Sequence, residues 1–274
     1  MSIIKIEHLA KSFDQEKAVL FDVNLEINKG EAVTIVGPSG CGKSTLLRLI
    51  LGLIPVDQGH IYIEGIDVTK LSEIEMNRIR KKFGMVFQSS ALFDSLTVGD
   101  NVGFPLKESA QYSDSRIKRL VSEKLALVGL PGIEDLMPSE LSGGMRKRVS
   151  FAQAIIGEPE ILLYDEPTTG LDPVMSTMIE DVIIKLRKEL NITSIIVTHQ
   201  PSTIFRASER IVMLHNGKVI EIGSPEQALK MDNPVVREFI DLGLMVTERV
   251  ICDNNNVNNN HDLGMFNNNR GVNL

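Results

Sequence analysis

The run Gly37-Pro38-Ser39-Gly40-Cys41-Gly42-Lys43-Ser44-Thr45 constrains this chain more tightly than any other stretch. It fits the pattern G-x-x-x-x-G-K-[ST], whose glycines let successive backbone N–H groups converge on phosphate oxygens without side-chain clash. In that pattern Lys43 neutralises the outer phosphates and Ser44 offers its hydroxyl to Mg²⁺. The flanks agree: Glu31 to Val36 is a compact β-rich run, and Lys43 to Leu53 reads as a helix stopped by Pro55. Strand, loop and helix in this order place a helix N-terminus, with its partial positive charge, behind the phosphates.

Strand–helix alternation returns downstream, with strands at Ile161 to Tyr164 and Thr193 to Thr198 separated by a helix from Pro173 to Leu190. Such alternation implies a parallel sheet covered by helices. Upstream, Ile4, Ile6 and Leu9 alternate as a strand with Phe13 in the loop after it. Leu20 to Ile27 is a second strand, Gly59 to Thr69 a short hairpin and Gly84 to Gln88 a buried strand. Leu96 to about Ile156 is mostly helical, with breaks at Pro105, Pro131-Gly132 and Pro138.

The expected fold is α/β: a P-loop NTPase core with a mainly parallel sheet, an N-terminal antiparallel β subdomain and a helical subdomain inserted at about 94–156. One domain covers 1–245. Residues 246–274 read as a disordered tail, because ten asparagines fall within 254–274 among few apolar residues. That tail is either a solvated extension or a segment that docks a partner.

The net charge of −7 disfavours broad nucleic-acid binding. No apolar run approaches the ~20 residues that span a bilayer, and Met1 to Phe13 lacks the basic start of a signal peptide. Of the two cysteines, Cys41 and Cys252, the first sits in the phosphate loop, where a disulfide would obstruct the ligand. A soluble protein in a reducing, cytoplasmic-side compartment is expected.

Asp165 and Glu166 close the apolar strand Ile161 to Tyr164, so both carboxylates emerge at the sheet edge beside the phosphate loop. There Asp165 suits Mg²⁺, and Glu166 suits orienting and polarising an attacking water. Leu141-Ser142-Gly143-Gly144-Met145 precedes a helix, with Ser142 as its N-cap and the glycines exposing backbone donors. Singly these are bland patterns, as is a histidine after a strand. His8, His60, His215 and His261 read as structural. Arg146-Lys147-Arg148 reads most simply as a solvated basic face, with phosphate attraction as the alternative.

In their fixed order, the phosphate loop, Gln88, the Leu141 to Met145 motif, Asp165-Glu166 and His199 resemble the ATP-binding cassette ATPases. The likeness covers about residues 1–245. It implies ATP and Mg²⁺ as cofactors and a head-to-tail, ATP-dependent homodimer in which Ser142, Gly143 and Gly144 serve the partner's nucleotide. It further implies that Gln88 links the γ-phosphate and Mg²⁺ to an integral membrane permease. His199 would sense the γ-phosphate with Glu166, Asp172 would lie in a loop crossing the dimer interface, and Phe13 would stack on adenine. The catalytic set is then Glu166, His199 and Gln88; the metal set is Ser44, Gln88 and Asp165.

Phe87 to Val98, Asn101 to Leu106 and Thr168 to Pro173 are similar to the corresponding stretches of lipid-transport ATPases. Those work with mammalian-cell-entry proteins and maintain outer-membrane lipid asymmetry. Met145 stands where many importers carry Gln, and Gln153 where that group commonly carries arginine. Phe87, Ala91, Leu92, Phe93 and Phe104 either line an apolar groove for a permease helix or pack the helical lobe. The resemblance implies a peripheral subunit on the cytoplasmic face of the inner membrane, energising a permease for phospholipid or related hydrophobic cargo. The alternatives are an importer ATPase for a small polar solute, and a soluble cassette ATPase acting on nucleic acid or the ribosome. Members of the last class usually fuse two cassettes or insert long coiled coils; here there is one cassette and no heptad run.

Overall fold

The computed structural model describes residues 1–14 and 17–241; the expected tail at 246–274 lies outside the described residues. The N-terminal third supplies β1 (Ser2–Asp14), β2 (Lys17–Asn28), β3 (Ala32–Val36), α1 (Lys43–Ile50), β4 (Gln58–Ile63), β5 (Ile66–Asp67), α2 (Glu73–Arg80) and β6 (Phe83–Val86). Three longer helices follow: α3 (Val98–Ser109), α4 (Asp114–Leu127) and α5 (Gly143–Ile155). The chain then runs through β7 (Ile161–Asp165), α6 (Pro173–Leu190), β8 (Thr193–Val197), α7 (Pro201–Ala207), β9 (Arg210–His215), β10 (Lys218–Gly223) and α8 (Pro225–Ala228). Residues 234–241 are helical.

Two sheets result. β2-β1-β4-β5 is wholly antiparallel. β10-β9-β3-β8-β7-β6 is parallel except for its edge strand β10. The two-residue period of a strand divides the side chains of the second sheet between two cores. Ile161, Leu163, Ile195 and Val197 face α1 and the antiparallel sheet, packing with Leu46, Leu47, Ile4 and Ile6. Leu162, Tyr164 and Ile196 face the helical lobe, packing with Val149, Phe151, Ile155 and Ile183. Each such fully buried aliphatic side chain contributes about 1.5–3 kcal/mol. The parallel part of the sheet is therefore fixed from both sides.

Several expectations need correction. Phe13 belongs to the end of β1, not to a loop. α1 stops at Ile50 rather than Leu53, and β6 stops at Val86, leaving Gln88 beyond it. Pro105 does not break its helix but lies inside α3. A proline removes the N–H that would bond the carbonyl four residues back, here that of Asn101. The Gln153 side chain, from α5, replaces it: its Nε2 donates to the Asn101 carbonyl at 3.0 Å. α3 ends instead at Ala110, whose φ of 52° takes the chain out of the helix.

Candidate functional site

Parallel strands deliver their C-terminal ends to one rim, the place where open α/β sheets bind ligands. β3 ends there in the phosphate loop, β7 in Asp165-Glu166 and β8 just before Thr198-His199. β6, paired with β7 through Val86 and Tyr164, leads to Gln88.

The phosphate loop turns on its glycines. Gly37 has φ 145°, and a Cβ there would meet the Leu214 carbonyl oxygen at 2.2 Å, so only glycine fits. Gly42, at φ 107°, precedes α1, whose first turn has no side-chain cap; Ser72, Thr97, Ser142 and Asp172 each cap theirs. The leading N–H groups of α1 thus remain open to an anion. Pro38, Ser39 and Gly40 form the exposed crest, while Thr45 is half-buried in α1. Lys43 is buried, and its Nζ donates to the carbonyls of Gly37 at 2.8 Å and Pro38 at 3.0 Å. Burial pushes the Cys41 thiol pKa up, opposed by the nearby Lys43, so the thiol stays in its unreactive form.

The acidic pair divides its contacts. Asp165 Oδ1 accepts from Ser44 Oγ at 3.1 Å, joining β7 to the phosphate loop. Burial raises the Asp165 pKa, with the Ser44 hydroxyl opposing it. Glu166 turns away at φ 50°, held by its N–H to the Val197 carbonyl at 2.8 Å. Its Oε1 lies 2.8 Å from His199 Nδ1, and its Oε2 accepts from Thr169 at 3.0 Å and Thr198 at 3.2 Å. A carboxylate with this many partners is fixed in position, with His199 half exposed beside it. For Mg²⁺ the donor set suits a hard cation: a hydroxyl and a carboxylate in contact, with the remaining positions left to phosphate and water. No group of three or more His, Cys, Asp or Glu placed to hold a metal ion by itself occurs among the described residues.

Other predicted residues stand apart. The Gln88 side chain is exposed and makes no hydrogen bond among the described residues. Ser142 caps α5 by accepting from the Met145 N–H at 3.2 Å. Ser142 and Gly143 are exposed, and no hydrogen bond joins them or Gly144 to the phosphate loop among the described residues. At Gly144 a Cβ would strike Met175 of α6. Phe13 is exposed at the outer end of β1, with Lys11 Nζ 5.7 Å from its ring centre. Val19 and Leu20, on the facing strand β2, pack against Gly42, which brings this end of the antiparallel sheet beside the phosphate loop. Asp172 caps α6 by accepting from Met175.

Two readings change. Arg146-Lys147-Arg148 is not one solvated face: a helix turns about 100° per residue, so Arg146 is exposed, Arg148 half-buried and Lys147 buried. Of the apolar set after Gln88, Phe87, Ala91, Phe93 and Phe104 line a groove of about 770 Å³, but Leu92 packs into the helical core. Phe93 and Phe104 lie 5.0 Å apart, centre to centre. Asn101, fully buried, holds the groove's loop through the Phe93 N–H and the carbonyls of Phe93, Leu96 and Thr97. The sequence assigns Asn101, Thr169 and Thr198 no role: Asn101 and Thr198 carry only the sign of a polar residue in or beside an apolar run, and Thr169, in the turn after β7, carries none.

A family model described as "ABC transporter" matches residues 20–169. The chain is 45% identical to TRIGALACTOSYLDIACYLGLYCEROL 3, chloroplastic, of Arabidopsis thaliana, over 86% of this chain and 73% of that one. It is 40% identical to the intermembrane phospholipid transport system ATP-binding protein MlaF of Haemophilus influenzae, over 87% and 90%. It is also 40% identical to the methionine import ATP-binding protein MetN of Carboxydothermus hydrogenoformans, over 88% and 72%. Among solved structures, the dimeric post-hydrolysis state of the ATP-binding cassette MJ0796 bound to ADP and Pi superposes with a TM-score of 0.72 at 34% identity, covering 80% of this chain and 98% of that one. No helix among the described residues is long and apolar enough to cross a membrane.

Proposed function

The chain belongs to the ABC transporter family as an ATP-binding ATPase subunit, and on that premise we propose that it energises a membrane permease for phospholipid or a related hydrophobic cargo. The likeness to MlaF over almost the whole of that protein carries the cargo reading. The groove of Phe87, Ala91, Phe93 and Phe104 beside Gln88 suits an apolar helix of the permease. The likeness to MetN supports a second reading, an importer for a small polar solute.

The residues divide the work as follows. Gly37 to Thr45 cradle the ATP phosphates, with Lys43 exchanging loop carbonyls for phosphate oxygens, and Phe13 stacks on the base. Ser44, Asp165 and Gln88 would hold Mg²⁺, which when bound would neutralise charge on the β- and γ-phosphates. Glu166 orients and polarises the attacking water by accepting a hydrogen bond from it, with Thr169, Thr198 and His199 fixing the carboxylate. Ser142 and Gly143 are exposed and separate from the chain's own loop, which fits service to a second copy's nucleotide in a head-to-tail dimer. One domain spans 1–245. The chain itself sits peripherally on the cytoplasmic face of the inner membrane, and a lipid-binding protein of the mammalian-cell-entry type is the further partner this reading expects.

The experiment is mild-detergent capture of the tagged full chain from its native membranes, with mass spectrometry of proteins and lipids. Recovery of a permease together with phospholipid is expected. A solute permease with its binding protein would favour the importer. Ribosomes or DNA without any membrane protein would overturn the transport reading.

A further inference from the structure

Lys147 is a buried cation with no carboxylate in ion-pair contact among the described residues. It lies on α5, five residues after the capping Ser142, or about 7.5 Å along the helix. Only 4% of it is exposed. Its Nζ donates to the carbonyl of Phe87 at 3.2 Å and to that of Gln88. The ammonium carries a full charge out of water to grip two backbone groups, an expensive arrangement where a neutral donor would satisfy the same carbonyls. The helix itself is rigidly seated: Phe151, Ala152 and Ile155 are fully buried in the lobe's core, and Phe151 packs on Tyr164, the residue preceding Asp165.

Three functional parts thus meet at one side chain. The tip of α5 presents Ser142 and Gly143, the gripped loop presents Gln88, and Phe87 opens onto the apolar groove. We propose that Lys147 is a positioning residue that fixes the Gln88 loop to the Ser142 helix, so that docking at either end sets Gln88 for hydrolysis. This rests on the reading of Gln88 as a metal- and γ-phosphate-directed residue.

The test is steady-state MgATP hydrolysis by the full chain, comparing Lys147→Met, Lys147→Arg, Gln88→Ala and the double variant Lys147→Met/Gln88→Ala, with melting temperature measured on each. Lys147→Met should lower kcat about tenfold, as loss of an outer-sphere partner does, with KM for ATP changed less than about twofold. Lys147→Arg, which keeps the charge and its donors, should restore most of kcat. The double variant should be no slower than Gln88→Ala, because Lys147 acts through Gln88. An unimpaired Lys147→Met beside an impaired Gln88→Ala overturns this inference alone, as do multiplicative losses in the double variant. An unimpaired Gln88→Ala overturns the reading of Gln88 and this inference with it. A loss of melting temperature without loss of kcat makes Lys147 a packing residue and overturns the proposal. If Lys147→Met does not fold, Lys147→Gln takes its place in the same measurements, with the same outcomes.

Discussion

Glu166 occupies a backbone conformation that costs a non-glycine residue about 1 kcal/mol. It is kept there by the Val197 carbonyl and by three side-chain partners on its carboxylate. The cost is offset by what the turn achieves: Asp165 and Glu166 are adjacent in sequence yet face different neighbours, one the Ser44 hydroxyl, the other His199 and two threonines. Glu166→Gln keeps the shape and loses the carboxylate's charge and basicity. It should bind ATP with near-normal affinity while kcat falls by about 10²–10⁴-fold, measured by equilibrium nucleotide binding and phosphate release on the same preparation. Normal turnover would remove Glu166 from the catalytic role.

At the scale of the element, the pairing of α3 with α5 shows how a helix accommodates its own breaker. Pro105 leaves the Asn101 carbonyl without its helical donor, and Gln153 supplies one. Gln153→Leu should therefore cost about 1–2 kcal/mol in urea unfolding, the penalty of an unsatisfied buried carbonyl. In a Pro105→Ala background, where residue 105 regains its N–H, most of that cost should vanish; equal costs in both backgrounds would refute the substitution of donors. The same pair marks the limit of what is legible in the chain. Phosphate loop, acidic strand end and capped signature helix are local patterns, written in contiguous residues, and each is read from spacing and strand–helix alternation. Rescue of residue 101 by residue 153 is a contact between helices, so Pro105 reads as a break until both are placed. Lys147 is misread for the same reason: its basic neighbours suggest solvent, and only the loop after β6 makes its face interior. Thr169 and Thr198 gain meaning only once two strands bring them to one carboxylate.

Across the whole molecule, the sheet has two unlike edges. Opposite the phosphate rim, where the parallel strands begin, lies a belt of ion pairs: Lys29 and Lys82 with Glu160, Lys82 with Glu64, Arg187 with Glu209, and Arg210 with Glu31 and Glu221. Lys29, then Lys82, lowers the Glu160 pKa from 4.5 to about 2. A carboxylate depressed in the folded state adds stability above its unfolded pKa and loses it as pH falls towards the folded one. With a third of the Glu160 side chain exposed, solvent screening limits the gain to about 1 kcal/mol. Glu160→Gln should therefore be less stable than wild type at pH 7, and the gap should close between pH 4.5 and 2; a pH-independent gap would place the effect in packing instead. The phosphate rim works under a different constraint. Asp165 and Glu166 sit directly on the end of β7, and Thr198 and His199 directly after β8, with no intervening loop to absorb an error, so there strand length itself is the measuring device. One residue inserted into β7 would advance Asp165 by about 3.3 Å and turn the strand's inward side chains outward. On the belt side short connections lead from α2, α5, α6 and α7 into β6, β7, β8 and β9, so a residue added there would lengthen a connection and leave the spacing at the rim untouched.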